Sequence, residues 1–183
     1  MFILYAIPIG IVAGYVLGGR LERLGDLRFR WGALAVAGLL VQVLLFSGPV
    51  ASAIGTAGPV VYVASTAAVL LAVLRNIRIR GLALVAAGAA TNLAAIAANG
   101  GVMPAAPEAV AGLGLAPEGF SNSVVLADPV LRPLTDIFVL PPWLPFANVF
   151  SIGDILIGLG VIAVIALGMR GASGSVQRGT SPD

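Results

Sequence analysis

The sequence predicts an all-α protein: a polytopic membrane helix bundle of five transmembrane helices, with a long ordered extracytoplasmic loop between the fourth and the fifth. Three observations predict it. Hydrophobic residues make up 59% of the 183-residue chain and charged residues only 10%, where soluble domains average about a quarter charged. Charge is missing altogether from residues 1–19, 31–74, 81–107 and 155–169. The arginines fall between these runs in the alternating pattern that a bilayer imposes on its loops.

One helical crossing of ~30 Å of hydrocarbon takes about 20 residues. The 44-residue run 31–74 is therefore two crossings, interrupted where turn residues cluster at Ser47-Gly48-Pro49 and Gly58-Pro59. The helices are then roughly 2–18, 32–47, 58–74, 82–98 and 151–169. Several are short, which suits a thin bilayer or little tilt. The first run has no basic segment before it and no small-residue cleavage site, so it reads as a retained helix rather than a signal peptide. Residues 1–170 form a single transmembrane domain, and the Gly/Ser-rich 171–183 form a disordered cytoplasmic tail.

The first helix carries Gly10, Gly14 and Gly18 on one face, a spacing that lets helix backbones approach closely. That face suits internal packing, or a seam for a homo-oligomer or a partner membrane protein. The fourth helix sets Ala86, Ala90, Ala94 and Ala98 in register and belongs at the bundle centre. Gln42, Ser65, Thr66, Thr91 and Asn92 are the polar groups expected inside the hydrocarbon, and each needs an interhelical partner, since lipid supplies none. Mid-membrane acids and arginines, which proton relays and ion paths use, are missing apart from Asp154 near one end.

Basic residues stay on the cytoplasmic side. The groups Arg20, Arg23, Arg28, Arg30, then Arg75, Arg78, Arg80, then Arg170 and Arg178 all fall on one side of a five-helix path. The loop 99–147 falls on the other, with Arg132 alone against Glu108, Glu118, Asp128 and Asp136. The expected location is the bacterial cytoplasmic membrane, multi-pass, N-terminus outside and C-terminus inside. Membrane lipids are the expected partners, and Arg20 to Arg30 suit an anionic lipid surface. The net charge of +2 comes from these flanking arginines, so nucleic-acid binding is not implied.

Cysteine, histidine and lysine are all absent. Thiol nucleophiles, imidazole acid–base chemistry, lysine Schiff bases and the usual zinc ligand sets are thereby excluded. No cofactor or metal is expected, and any catalysis would rest on carboxylates, hydroxyls, amides or arginine.

The 49 residues Asn99–Ala147 hold eight of the twelve prolines and many apolar side chains, Trp143 among them as an interfacial anchor. Such a segment is too long for a passive connection and reads as a lid over the outer mouth. Around that mouth the candidate binding residues are Asn99, Gly100, Gly101, Arg132, Asn148, Ser151 and Asp154. Asn99 and Asp154 are expected to be neighbours where helices four and five end. Arg132 is expected to pair with Asp128 or Asp136, or to bind an anionic headgroup. No catalytic set is complete; if the protein is an enzyme, Asp154 and Asp136 are the candidate acid and base, because two carboxylates held close drive their pKa values apart. Each residue also has a plainer role. Ser151-x-x-Asp154 fits a capping box, Asn99-Gly100-Gly101 fits a helix C-terminus with a left-handed turn, and Asp136 fits a solvated acid.

Asn99-Gly-Gly-Val-Met-Pro104, Phe120-Ser-Asn-Ser-Val124 and Asn148-Val-Phe-Ser-Ile-Gly-Asp-Ile-Leu-Ile157 resemble an uncharacterised bacterial family of five-helix membrane proteins, classed as a domain of unknown function. That resemblance covers most of the chain and implies no activity. More distantly, Phe150-Ser-Ile-Gly-Asp154, Thr135-Asp-Ile-Phe138 and Trp143 resemble motifs of the lipoprotein signal peptidases. That likeness would imply a catalytic aspartate at Asp154. The family's other aspartate sits in Asn-Leu-Ile-Asp-Arg, and the best match here, Asn92-Leu93-Ala94-Ala95-Ile96, has alanine where the acid belongs. Ser151 also stands where that motif has asparagine.

Two functions follow as expectations. One is a non-enzymatic membrane protein that binds a lipid, a small ligand or a partner helix under the 99–147 lid. The other is an aspartic-type membrane hydrolase or peptidase using Asp154 with Asp136.

Overall fold

The computed structural model describes residues 2–47, 50, 53–114 and 123–171. The expected tail beyond Gly171, the Gly48-Pro49 break, Glu118 and the Phe120–Asn122 part of the second motif lie outside the described residues. The protein is mostly helical. The long helices are α1 (Ala6–Val16), α2 (Gly32–Leu45), α3 (Gly58–Arg75) and α4 (Leu82–Ala98). After them come β1 (Met103–Ala105), a short α5 (Pro107–Ala111), β2 (Ser123–Val125), β3 (Phe138–Val139), β4 (Val149–Phe150) and the long α6 (Ile152–Arg170). Short 3-10 turns cover Phe2–Tyr5, Leu21–Asp26, Gly55–Ala57 and Arg132–Leu134. Two helical stretches, Gly55–Arg75 and Ile152–Arg170, are long and apolar enough to cross a membrane, and three apolar helices are shorter.

Local chemistry sets the helix ends. Pro59 lies in the first turn of α3, where its missing N–H costs nothing. At the end of α4, Gly100 turns left-handed (φ +72°), and the Gly101 N–H reaches back to the Ile96 carbonyl at 2.8 Å. This 6→1 bond closes the helix in a Schellman motif. At α6 a capping box opens the helix at Ser151.

The long helices pack in the order α2, α3, α4, α6, α1, so α4 sits in the middle of the row. Contact between α4 and α6 is antiparallel and built on glycine. Gly88 faces Gly153 and Gly81 faces Gly160, two pairs each seven residues apart. A Cβ on Gly153 would lie 2.8 Å from the Gly88 carbonyl, and one on Gly160 would lie 2.9 Å from the Gly81 carbonyl. Gly10 and Gly14 of α1 meet Ile162, Ile165 and Met169 of α6, so this part of the glycine face packs within the chain. Gly18 has left the helix with φ +74° and is exposed. Gln42 on α2 donates to Thr66 on α3 at 3.2 Å, and Gly38 lets α2 approach the Ser65 carbonyl.

The segment after α4 is not helical throughout. β1 runs parallel to β2 with Met103 opposite Ser123, and β3 pairs antiparallel with β4. Strands of two or three residues are too short to show a period-2 pattern, and Pro104 within β1 hides it further. The segment has its own small core of Ala105, Ala106, Ala109, Val110, Leu113 and Val149. It is also tied to the chain's start. Asn148 Oδ1 accepts from the Phe2 N–H at 2.9 Å, Tyr5 donates its hydroxyl to the Pro145 carbonyl, and Phe2 stacks on Phe150 at 4.5 Å.

Because the α4–α6 contact leaves no room for a methyl group, Gly153→Ala should lower stability by about 1–3 kcal/mol, the usual cost of overpacking. Gly25→Ala, where a new Cβ meets nothing within 4 Å, should leave it unchanged. Thermal unfolding of the two variants side by side checks this, and equal melting points would show that the contact can relax.

Candidate functional site

The Ser151 end of α6 is the polar centre of the molecule. Ser151 has no exposed surface. Its backbone N–H donates to Asp154 Oδ2 at 2.9 Å, and its hydroxyl accepts from the Asp154 N–H at 3.2 Å, the two halves of a capping box. Asn92, on α4, completes the cluster. Its Nδ2 donates to Asp154 Oδ1 at 3.1 Å, and its Oδ1 lies 2.9 Å from the Ser151 hydroxyl. That hydroxyl also lies 3.0 Å from Asp154 Oδ2, so its single proton is shared between two acceptors. The carboxylate is thus met on both oxygens and stands at the positive end of the helix dipole.

A second carboxyl lies on the segment above. Asp136 is 5% exposed. Its backbone extends the small sheet, with its N–H on the Pro104 carbonyl at 2.9 Å and its carbonyl accepting from Ala106 at 3.0 Å. Its side chain accepts a 2.7 Å hydrogen bond from the Ser123 hydroxyl. Burial pushes this carboxyl up to about 7; the Ser123 hydrogen bond works the other way, and the charge of Asp154 adds a smaller upward push. The Tyr62 ring on α3 lies within electrostatic reach of both Asp136 and Asp154. It packs against Ala95, Ile96 and Met103 and meets Phe46 edge-on at 4.9 Å.

Beside the Asp136 backbone, an open cleft of about 340 Å³ is lined by Ala106, Glu108, Ala109, Arg132, Pro133 and Ile137. Arg132 and Glu108 approach to 3.9 Å across it, both largely exposed. An exposed pair at that distance contributes little to stability. Among the described residues, no group of three His, Cys, Asp or Glu side chains could hold a metal ion.

A family model described as a family of unknown function, DUF5317, matches residues 26–166. The chain belongs to this family. No curated protein and no solved structure matches it. The family therefore assigns no chemistry, and the likeness to lipoprotein signal peptidases rests on the short motifs alone.

In this DUF5317 chain the residues expected at one mouth separate into distinct tasks. Ser151 and Asp154 do come together, but their partner is Asn92 and not Asn99. Asn92 precedes Asn99 by seven residues, roughly 10 Å along a helix axis, so Asp154 meets α4 two turns deeper than its end. Asn99 instead clamps the backbone of Val130, donating to its carbonyl at 2.9 Å and accepting from its N–H at 2.8 Å. Gly100 and Gly101 form the Schellman turn, and a Cβ on Gly101 would meet Pro59. Asn148 holds the chain's start. Arg132 faces Glu108 rather than Asp128 or Asp136, and Asp136 is buried rather than solvated. Asn92 and Ser123 were missed as site members. The signal for Asn92 was available, since the matched spacing of Gly81 and Gly88 with Gly153 and Gly160 fixes the register.

Two outcomes are expected. Asp154→Ala should cost about 0.5–2 kcal/mol as a lost cap, plus about 1–3 kcal/mol for the Asn92 amide left without its acceptor; denaturant unfolding measures the sum. For Asp136, the folded value near 7 stands above the ordinary 3.8, so the folded state holds a proton that the unfolded chain has released. Its contribution is present below about pH 4, is lost as pH rises to about 7, and is flat beyond, a change on the order of a few kcal/mol. Asp136→Asn keeps an acceptor for Ser123 and should remove that slope; an unchanged pH–stability curve would contradict the assignment.

Proposed function

We propose that this is a five-span integral membrane protein of the bacterial cytoplasmic membrane, with its N-terminus outside, whose 99–147 segment binds an amphipathic ligand at the outer mouth. Exposed apolar surface supports the membrane reading. Only 17% and 28% of the two longest apolar stretches are buried, whereas the core helix of a soluble protein would be mostly covered. Val16, Val43 and Val60 are 81%, 66% and 71% exposed, and such surfaces need an apolar solvent. The helix order also supports the orientation. With α4 antiparallel to α6 and α1 parallel to it, the arginine-bearing ends lie together and Glu108 lies opposite.

One observation carries the binding reading. The cleft beside Asp136 joins an apolar lining of Ala106, Ala109, Pro133 and Ile137 to a single Arg132–Glu108 pair at its rim. Few polar groups set on an apolar wall orient an amphipathic molecule, whether a lipid, a small ligand or a partner helix. Asp154 supports binding over catalysis, because its oxygens are already occupied by Asn92 and Ser151.

A second reading, an aspartic-type membrane hydrolase, is favoured by one specific observation. Asp136 holds its proton near neutrality and feels the charge of Asp154, the electrostatic condition for one acid and one base around a water. It would require Asp154 to release a capping donor.

The absence of native cysteine makes topology simple to test. A lone Glu108→Cys should react with a membrane-impermeant maleimide in intact cells, and Arg78→Cys only after lysis; the reverse order would sink the orientation. For the ligand, a photoreactive phenylalanine analogue at Ile137 should capture a small adduct visible by mass spectrometry, and Arg132→Ala should reduce it severalfold. Equal capture from a probe at Phe29 would remove the cleft from consideration. Loss of cellular function in Asp136→Asn with folding intact would favour the hydrolase instead.

A further inference from the structure

A second cleft opens beside the turn that follows α1, far from Asp136 in sequence. It is a cleft of about 420 Å³ lined by Tyr15, Arg20, Leu21, Glu22 and Arg23. The turn Leu21–Asp26 forms its wall and passes beneath the end of α6. That turn is fixed at several points. The Arg20 N–H donates to the Met169 carbonyl at 2.8 Å, and the Arg23 guanidinium donates to the Arg170 carbonyl at 2.6 Å. Leu24 and Leu27 pack where a Cβ on Gly168 would lie. Arg23 thus neutralises the negative end of the α6 dipole.

Arg20 has no such employment. It is exposed, and among the described residues its guanidinium has neither a hydrogen bond nor an ion pair. Its neighbours in the lining are a phenol, a leucine, Arg23 and the single opposing charge of Glu22, leaving the lining net positive. Apolar surface runs straight into this cleft along α1, where Tyr15, Val16 and Leu17 are 56%, 81% and 48% exposed.

We propose that this cleft is a phospholipid site, with the Arg20 guanidinium on the phosphodiester and the acyl chains along the exposed Tyr15–Leu17 side of α1. A planar guanidinium presents paired donors to phosphate oxygens. Free phosphate would use the arginine alone and leave the adjoining apolar track unused, so the lipid is the occupant that fits both parts. Glu22 disfavours a second negative charge beside the phosphate. The site rests on the membrane reading, but its test does not, because lipid retention is measured outside a bilayer while the cysteine labelling above reports insertion separately.

The experiment is native mass spectrometry of the full chain in detergent, with dioleoyl phosphatidylglycerol added. The wild-type protein should retain the phospholipid. Dioleoylglycerol, which lacks the phosphate, should not be retained, and glycerol phosphate should not displace the bound lipid. Arg20→Gln should lower occupancy about tenfold, the usual weight of a hydrogen bond to a charged group, at an unchanged melting point. Arg78→Gln, on an exposed arginine at the same end, should retain lipid like the wild type. Equal loss in both variants would reduce the effect to general surface charge and overturn the site. So would full retention by Arg20→Gln, retention of dioleoylglycerol, or displacement by glycerol phosphate.

Discussion

The contact between α4 and α6 is the constraint on which the rest of the structure depends. Four glycines, paired as Gly81 with Gly160 and Gly88 with Gly153, bring the two backbones within a methyl group of each other. Close backbone packing and shared hydrogen bonds both hold them. The first is supplied by the glycines. The second follows from the register they set, which delivers Asn92 to Ser151 and Asp154. α1 then packs on the opposite side of α6, and the small sheet closes over the Ser151 end.

That register decides what kind of group Asp154 is. A half-buried carboxylate is costly to desolvate unless its oxygens are met. Here the Asn92 amide, the Ser151 N–H and the Ser151 hydroxyl meet them, and Asp154 returns its own N–H to Ser151. Cap and interhelical tie are one structure. Removing any member leaves the others exposed to the same desolvation cost.

Much of this was legible in the sequence, and the rest was lost for physical reasons. Helices 82–98 and 152–170 fall almost where charge-free runs and turn residues put them. α1 stops at Val16 rather than near 18 because Gly18 turns left-handed. The capping box was visible in Ser151-x-x-Asp154 because capping is local. The partner of Asp154 was not, because helix ends were aligned at Asn99 as if the two helices began and ended level. The glycine spacing would have shifted the alignment by two turns. The burial of Asp136 could not be read at all. It depends on a backbone bridge to Ala105 and a hydroxyl at Ser123, both fixed by pairs of two or three residues that leave no periodic trace.

The two aspartates that the sequence offers as a candidate acid and base therefore stand in different surroundings. Asp154 accepts from the Asn92 amide and from the Ser151 N–H, and these bonds are part of the fold. Asp136 has one hydroxyl donor, little solvent and a negative neighbour, and it keeps a proton where an ordinary carboxyl would not. Burial of that kind opposes stability at neutral pH, and a fold gains nothing structural from it that an asparagine would not supply. The backbone of Asp136 also lines up with Ala106, the first wall of the Glu108–Arg132 cleft. Asp136 is thus the carboxyl whose proton affinity the fold raises, while Asp154 is a neighbour held by its own cap.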